Sequence, residues 1–358
     1  MHDRPDRPDH DAPHGDGAAG APDAHRGDDS GPADVAGAAD PRQLIGGAGA
    51  EIDLATAEGE TLESGGDGTP PPADERSRSL WSDAWHELRR RPIFILSALL
   101  ILFLVVISLW PGLIATRDPL DCRLSRSLGG AEPGHWFGFD TQGCDVYTRT
   151  VYGARASVTV GVCATLGVAL LGAAFGGLAG FFGGAWDALL SRVTDIFFGI
   201  PLILGALVFL AMIRTEGIWP VVGVITLLAW PQIARIARGS VITAKQNDYV
   251  QAARALGAGS PRLLLRHIMP NAIAPVIVVA TIALGTYIAL EATLSFLGVG
   301  LRPPTVSWGV DISNASNGMQ FRNAPHILLY PAGALSVTVL AFIMLGDAVR
   351  DALDPKLR

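Results

Sequence analysis

Long, uncharged apolar runs after residue 91 restrict what this chain can fold into. The first run, residues 92–110, is about as long as a helix must be to cross the hydrocarbon core of a bilayer. Hydrophobic residues make up 49% of the chain, and they are gathered in such runs as in a membrane protein rather than spread as in one large soluble domain. The sequence therefore predicts an all-α polytopic membrane protein with six transmembrane helices, at residues 92–110, 157–184, 189–213, 218–236, 271–298 and 327–345.

The segment before these runs has a different composition. Residues 1–79 hold 18 of the 34 acidic residues but only 6 of the 27 basic ones, and they contain no aromatic side chain. Such a segment buries too little apolar surface to offset the entropy of ordering, so we expect a disordered acidic tail. It lacks the basic start and apolar middle of a secretory signal. Residues 80–358 are expected to form the membrane domain.

Basic residues indicate the orientation of the predicted helices. Three consecutive arginines, residues 89–91, directly precede the first run, and basic residues favour the cytoplasmic side. Six crossings then bring the C-terminus back to the cytoplasm, so both termini are expected there. The loop at residues 238–270 has five basic residues and the single acid Asp248, as a cytoplasmic loop should. Residues 111–156 form the first external loop.

Four glycines recur at every fourth position of the second run: Gly172, Gly176, Gly180 and Gly184. In lipid, a row of small residues on one helical face lets another helix approach closely, so this face is expected to be buried against a helix. Two interpretations remain open. The row either packs within the chain or belongs to a subunit interface or a moving surface around a pore.

Charged side chains inside the apolar runs are costly in lipid and deserve individual interpretation. Arg192 and Asp195 lie three residues apart, so they are predicted to form an ion pair near the cytoplasmic end of the third helix. Glu291 lies deeper and either contacts substrate or stabilises the bundle. Pro201 and Pro231 are predicted to kink the third and fourth helices.

A compact polar stretch, residues 248–270, interrupts the apolar half of the chain and is typical of two short helices. The first helix meets Gly257, the residue type that best tolerates the left-handed conformation at a helix C-terminus. Ser260 offers an N-cap hydroxyl and Pro261 suits a first helical turn, so a second helix is predicted to start at once. Pro270 is expected to interrupt it.

The residue types of this stretch suit docking. Ala252 and Ala253 leave a small surface that another protein can approach, and Arg254, Arg262 and Arg266 surround it with positive charge. The alternative interpretation is a generic amphipathic cytoplasmic loop.

At this spacing the stretch resembles the EAA loop of ABC-importer permeases, whose pattern is Glu-Ala-Ala, three residues, Gly and, thirteen positions on, Pro. Here Gln251 replaces the glutamate, which puts a role for an acidic group in doubt. Residues 267–271, 294–309 and 346–355 resemble signatures of the dipeptide/oligopeptide and nickel branch, so the resemblance covers residues 81–358. It implies that the ATPase-coupling residues are Tyr249, Gln251, Ala252, Ala253, Arg254, Gly257, Arg262, His267 and Pro270.

The resemblance also implies partners. Such permeases work as pairs, usually of two different subunits, with an external solute-binding protein and two ATPase subunits that bind ATP and magnesium. The chain itself lacks a glycine-rich phosphate loop and is not expected to hydrolyse ATP, and neither a metal site nor a nucleic-acid partner is expected. Its substrate would be a dipeptide or oligopeptide, or else nickel or another small solute, and its place the bacterial plasma membrane.

Two other classes of protein compete with this interpretation. An autonomous membrane enzyme or channel would use Glu291, Asp195 and Asp347 as working carboxylates, but these acids are scattered along the chain. A scaffold organised by the acidic tail would explain none of the membrane half.

The three cysteines fall in two settings. Cys163 lies in the second run and is expected to be a packing residue. Residues 135–145 resemble the segment before the second helix of the same permease branch, which usually has arginine at the position of Cys144. Because this departure accompanies a second external cysteine, Cys122, a Cys122–Cys144 disulfide is predicted in the oxidising external loop.

Overall fold

A computed structural model describes residues 85–353 apart from residues 87, 214 and 317–321. The predicted acidic tail, residues 1–79, lies outside the described residues. Helices dominate the described part, where β structure amounts to two isolated bridges, so the predicted all-α membrane fold is confirmed. In chain order the helices are α1 (Pro92–Leu109), α2 (Val146–Phe182), α3 (Gly184–Phe198), α4 (Leu202–Met212), α5 (Ile218–Lys245), α6 (Asp248–Ala255), α7 (Ser260–Phe296), α8 (Trp308–Ala315) and α9 (His326–Leu353).

The predicted third span is broken in two. Helices α3 and α4 together are long and apolar enough for one crossing, but they are bent by 84° relative to each other. Pro201 lies at the break, where a missing N–H and the restricted backbone of the preceding residue stop a helix. Pro231, in contrast, lies inside the continuous helix α5. In the described residues, five helices can cross a membrane, or six if the bent pair counts as one span.

Several helices extend beyond the apolar runs that predicted them. Helix α2 begins at Val146 rather than residue 157, because the Asp145 carboxylate caps its first turn and accepts a hydrogen bond from the Thr148 N–H at 3.1 Å. Helix α5 continues to Lys245, and α7 begins at Ser260. These extensions carry helical structure out of the apolar region at both ends of the bundle.

The glycine row brings α2 and α5 into contact. A Cβ atom on Gly176 would collide with the carbonyl oxygen of Ala234, and one on Gly172 would lie 2.7 Å from the Ile233 side chain. A Cβ on Gly180 would lie 2.8 Å from a further α5 carbonyl oxygen. For these three glycines the structure therefore supports packing within the chain.

Gly184 does not belong to this row. Helix α2 ends at Phe182, and its C-cap Gly183 has a left-handed φ of 67° that turns the chain away. A Cβ on Gly184 would meet nothing within 4 Å. The spacing predicted a fourth close contact, but the helix ends before it.

We expect Gly176→Ala to lower the thermal unfolding temperature of the purified protein. The added methyl group would clash with backbone atoms of α5, which cannot change rotamer as a side chain can. Overpacking of this kind lowers the free energy of unfolding by about 1–3 kcal/mol. Gly239→Ala is the matched control because a Cβ there meets nothing within 4 Å and Ala favours a helix. Equal unfolding temperatures for the two variants would contradict the packing assignment.

Helices α7 and α9 cross closely in their middle sections. A Cβ on Gly285 of α7 would lie 3.0 Å from the carbonyl oxygen of Val339, and one on Gly346 of α9 would lie 3.0 Å from the backbone nitrogen of Ile282. Small residues on both helices thus fix the crossing point.

Helix α8 covers the N-terminal end of α2. Trp308 is buried, and its indole Nε1–H donates a 2.8 Å hydrogen bond to the carbonyl oxygen of Thr150. A Cβ on Gly153 would lie 3.0 Å from this indole ring. A short helix outside the apolar runs is therefore fixed to the bundle.

Candidate functional site

We name residues 248–270 the coupling element. Its first helix, α6, starts three residues after α5 ends, and it stops where Gly257 adopts a left-handed φ of 84°, as predicted. Backbone hydrogen bonds from Gly257 to Arg254 (3.0 Å) and from Ala258 to Ala253 (3.1 Å) close this end. The following helix has Gly259, not Ser260, as its N-cap, and its first turn contains a proline as predicted.

The inner side of the coupling element is packed against three membrane helices. Val250, Leu263 and Ile268 are buried in one apolar cluster with residues of α2, α5 and α7. Lys245, the last residue of α5, donates a 2.6 Å hydrogen bond from Nζ to the carbonyl oxygen of Phe181 near the end of α2. The coupling element is therefore anchored to the bundle and cannot move without it.

The outer side of the coupling element is exposed. Leu256, directly before the glycine turn, is 89% exposed, and Tyr249 is 42% exposed. Ala252 is exposed as expected, whereas Ala253 is half-buried against the apolar cluster of the chain itself. Leu256 thus presents an apolar side chain to the surroundings at the end of α6. The predicted arginines Arg254, Arg262 and Arg266 are also exposed.

Gln251 has a local role. Its side-chain amide donates a 3.3 Å hydrogen bond to the carbonyl oxygen of Lys245 at the C-terminus of α5. A carboxylate cannot donate this bond. The glutamine that departs from the family pattern thus satisfies a helix end that glutamate could not.

The second half of the coupling element differs from prediction at Pro270. The segment Leu263–Ile268 is a π-helical turn, and the chain continues from it without a break into the rest of α7. Pro270 falls in the first turn of the α-helical segment that starts at Met269, where its missing N–H costs least. Half-buried His267 lies in the π turn, and its carbonyl oxygen accepts a 2.9 Å hydrogen bond from Asn271.

The charged residues of α3 pair with α5 and not with each other. The Asp195 carboxylate lies 3.7 Å from the Arg235 guanidinium, so the predicted Arg192–Asp195 pair is wrong. Asp187 receives two hydrogen bonds from Arg238, one of 2.7 Å from Nη2 to Oδ2. A carboxylate can pair with a basic residue on its own helix or on a neighbouring helix. Here Asp195 and Asp187 both pair with arginines of α5.

Glu291 is completely buried in α7. Its Oε1 accepts a 2.8 Å hydrogen bond from Ser295, whose hydroxyl oxygen in turn accepts a 2.9 Å bond from the backbone N–H of Leu301. Ser157 of α2 and Ser307 before α8 belong to the same buried polar cluster. This enclosure favours the stabilising interpretation of Glu291 over contact with substrate.

The loop between α1 and α2, predicted to be external, is closed by a disulfide. Cys122 and Cys144 are bonded across a sequence separation of 22 residues, and Cys144 is fully buried. Cys163 is free and half-buried in α2.

A buried ionic network lies beside this disulfide. Nε of Arg149 donates a 2.9 Å hydrogen bond to Asp311 of α8 and lies 3.6 Å from the Asp140 carboxylate of the loop between α1 and α2. Nη1 of the same arginine lies 4.0 Å from the sulfur of Cys144. Burial raises the pKa of Asp311 to about 6, although the Arg149 charge opposes this. The sequence did not predict the network because Arg149 and Asp311 are separated by 162 residues.

We expect removal of the disulfide by Cys122→Ser to destabilise the protein by about 3 kcal/mol, because the unfolded chain regains the freedom of the closed loop. Thermal unfolding without reductant measures the loss, and Cys163→Ser is the control. Alkylation mass spectrometry gives a second readout: modification of Cys122 and Cys144 in the unreduced native protein would contradict the disulfide.

Known families and proteins match most of the chain. Residues 172–358 match the family model of the binding-protein-dependent transport system inner membrane component, and residues 79–125 match the N-terminal TM domain of oligopeptide transport permease C. The chain is 37% identical over 285 residues to the glutathione transport system permease proteins GsiD of Escherichia coli strain 536 and Shigella boydii strain Sb227, which covers 79% of this chain and 93% of each relative. A chain of the MetNI methionine ABC transporter in an inward-facing conformation is more distant, with 20% identity and a TM-score of 0.46 over 57% of this chain and 96% of that one.

The first family match includes the coupling element, Glu291 and helices α3 to α9. The chain therefore belongs to the family of binding-protein-dependent transport system inner membrane components, as a permease of an ABC importer in the peptide and nickel branch.

Proposed function

We propose that this chain forms half of the translocation pathway of an ATP-driven peptide importer, with its coupling element and both termini on the cytoplasmic side. The observation that carries the proposal is the two-sided coupling element. Its inner side is buried against α2, α5 and α7, while Leu256 stands exposed on the outer side. This geometry suits a segment that a partner displaces and that transmits the displacement to the membrane helices.

Coupling of this kind needs little more than rigid contacts. ATP and magnesium bind to the separate ATPase subunits, and their closure displaces the docked coupling element. Val250 and Ile268 in the apolar cluster, together with Lys245 bonded to Phe181, carry that displacement to the ends of three helices. ATP and substrate then bias the same equilibrium between inward-open and outward-open states.

In this proposal, one copy of the chain does not enclose the translocation pathway by itself. A second, homologous permease subunit supplies the other half, two ATPase subunits bind on the cytoplasmic side, and an extracellular binding protein delivers the substrate. Exposed apolar side chains cover much of α1 and α4, for example Leu96, Leu99 and Leu204, and they suit contact with lipid or with a second subunit.

Small peptides are the proposed substrate. The relatives are named for transport of glutathione, which is a tripeptide, and the N-terminal match is named for oligopeptide transport. Nothing in the described residues favours nickel or another solute, so these remain outcomes of the test below.

The test is reconstitution of the full chain with its co-purifying subunits and binding protein in liposomes. We expect ATP-dependent uptake of a radiolabelled dipeptide, a longer peptide or glutathione. Uptake of nickel and of no peptide would contradict the proposed substrate class but would agree with an ATP-driven importer. Transport by the purified chain with no ATPase present would overturn the proposal in favour of an autonomous channel.

A further inference from the structure

The structure contains an apolar groove between α7 and α9, at the end of the bundle that carries the coupling element. The groove has a volume of about 450 Å³. It is lined by Ala274, Pro275, Val278, Val279, Ile282, Arg350 and Leu353. Its walls are therefore apolar, apart from one cationic side chain.

The shape of the groove follows from the helix crossing. Gly346 packs against Ile282, and Gly285 packs against Val339, so the two helices touch in their middle sections. On the coupling-element side of this crossing, Ala274, Pro275, Val278 and Leu353 line an open space between the two helices, which we call the wedge. From Ile282 to Ala274 the wedge extends roughly 12 Å along α7 at 1.5 Å per residue. This length suits the upper part of a phospholipid acyl chain.

Arg350 lines the wedge near the C-terminus of α9. Its side chain is exposed, and the neighbouring acid Asp351 instead binds Arg91 at 2.9 Å. Within the part of the chain that the structure describes, no carboxylate forms an ion pair with Arg350. A lone guanidinium at the end of an apolar groove offers bidentate hydrogen bonds to a phosphate group.

We propose that this groove is a binding site for an anionic phospholipid. Arg350 binds the headgroup phosphate, and one acyl chain lies between α7 and α9 against Val279 and Ile282. A basic residue between membrane helices at the cytoplasmic surface is a recurrent way to bind anionic lipid. The site is independent of the ATPase-docking side of the coupling element, so its test does not depend on transport.

Native mass spectrometry tests the site on the full chain purified with its partner subunits. Phosphatidylglycerol and phosphatidylethanolamine are titrated in turn into the delipidated protein. We expect tighter binding of phosphatidylglycerol, and Arg350→Gln should weaken it about fivefold, which corresponds to about 1 kcal/mol for one basic residue. Binding of phosphatidylethanolamine, which has the same phosphate but no net charge, should weaken less, so the preference for phosphatidylglycerol should fall.

Two further variants make the result specific. Arg192→Gln removes an exposed arginine of α3 from the same end of the bundle and should not alter the binding of either lipid. Val279→Phe fills the groove and should weaken the binding of both. An unchanged preference for phosphatidylglycerol in Arg350→Gln would overturn the proposal.

Photo-crosslinking identifies the occupant of the groove in the membrane. The amino acid p-benzoylphenylalanine at position 353, where it replaces a larger lining residue at the Arg350 end of the groove, should form an adduct with phospholipid, seen as a lipid mass on the tryptic peptide. Adducts with another protein subunit alone would show that the groove is a protein interface and would also overturn the proposal.

Discussion

Leu256→Asp is expected to abolish ATP-driven uptake, with at least a thirtyfold loss, while the amount of protein in the membrane stays unchanged. Leu256 is 89% exposed, so an aspartate there leaves the packing of the chain intact, and such surface changes alter stability by about 0.5 kcal/mol or less. In the proposed complex with an ATPase subunit, the same side chain is the apolar centre of the docking surface. A charge at the centre of an interface costs about 2 kcal/mol or more, which corresponds to roughly thirtyfold.

The measurement is uptake and ATP hydrolysis by the reconstituted complex, with membrane levels determined in parallel. Leu256→Met is the matched control because it keeps an apolar side chain of similar size. Near-normal uptake by Leu256→Asp would count against docking through this residue.

Leu256 is a sharper probe than the residues that the sequence pattern suggests. Ala253 is half-buried against the apolar cluster, so an aspartate there would also disturb the chain's own packing. Gly257 has a left-handed φ of 84°, so any other residue would add backbone strain. Only a fully exposed position separates loss of docking from loss of folding.

Arg149→Ala is expected to have the largest effect on stability, a loss of about 3–5 kcal/mol. The substitution leaves the carboxylate of Asp311 buried without its cation, and it removes the side chain that bridges α2, α8 and Asp140 in the loop between α1 and α2. Thermal unfolding in detergent should show a lower midpoint than for Arg155→Ala, which removes an exposed arginine from the same helix.

A double variant distinguishes the destabilisation caused by an unpaired buried charge from that caused by lost side-chain packing. Arg149→Met combined with Asp311→Asn removes both members of the pair and should recover at least half of the stability lost by Arg149→Ala. Equal stability of Arg149→Ala and Arg155→Ala would show that the buried network contributes nothing.

The sequence predicted the features of this fold that depend on local pattern. Apolar runs long enough to span a bilayer located the membrane helices, and the glycine at position 257 correctly marked the end of α6. The four-residue glycine spacing correctly indicated a closely packed face at Gly172, Gly176 and Gly180. Each of these signals is contained within a few turns of one helix.

Features that depend on distant residues could not be predicted. The ion pairs of Asp195 and Asp187 join α3 to α5, and a single helix pattern suggested only the neighbour Arg192. The break at Pro201 was predicted as a kink, because a proline alone does not determine the angle between two helices. The exposure of Leu256 followed only from the position of the glycine turn relative to the bundle.

Cysteine crosslinking at position 256 tests the coupling role most directly. Leu256→Cys in a Cys163→Ala background is expressed with the partner subunits, and membranes are treated with benzophenone maleimide and irradiated before mass spectrometry of the crosslinked peptides. We expect a photo-crosslink between position 256 and an ATPase subunit, and no labelling of this position by an impermeant maleimide added outside intact cells. Labelling from outside, with no ATPase peptide attached, would contradict the proposed coupling.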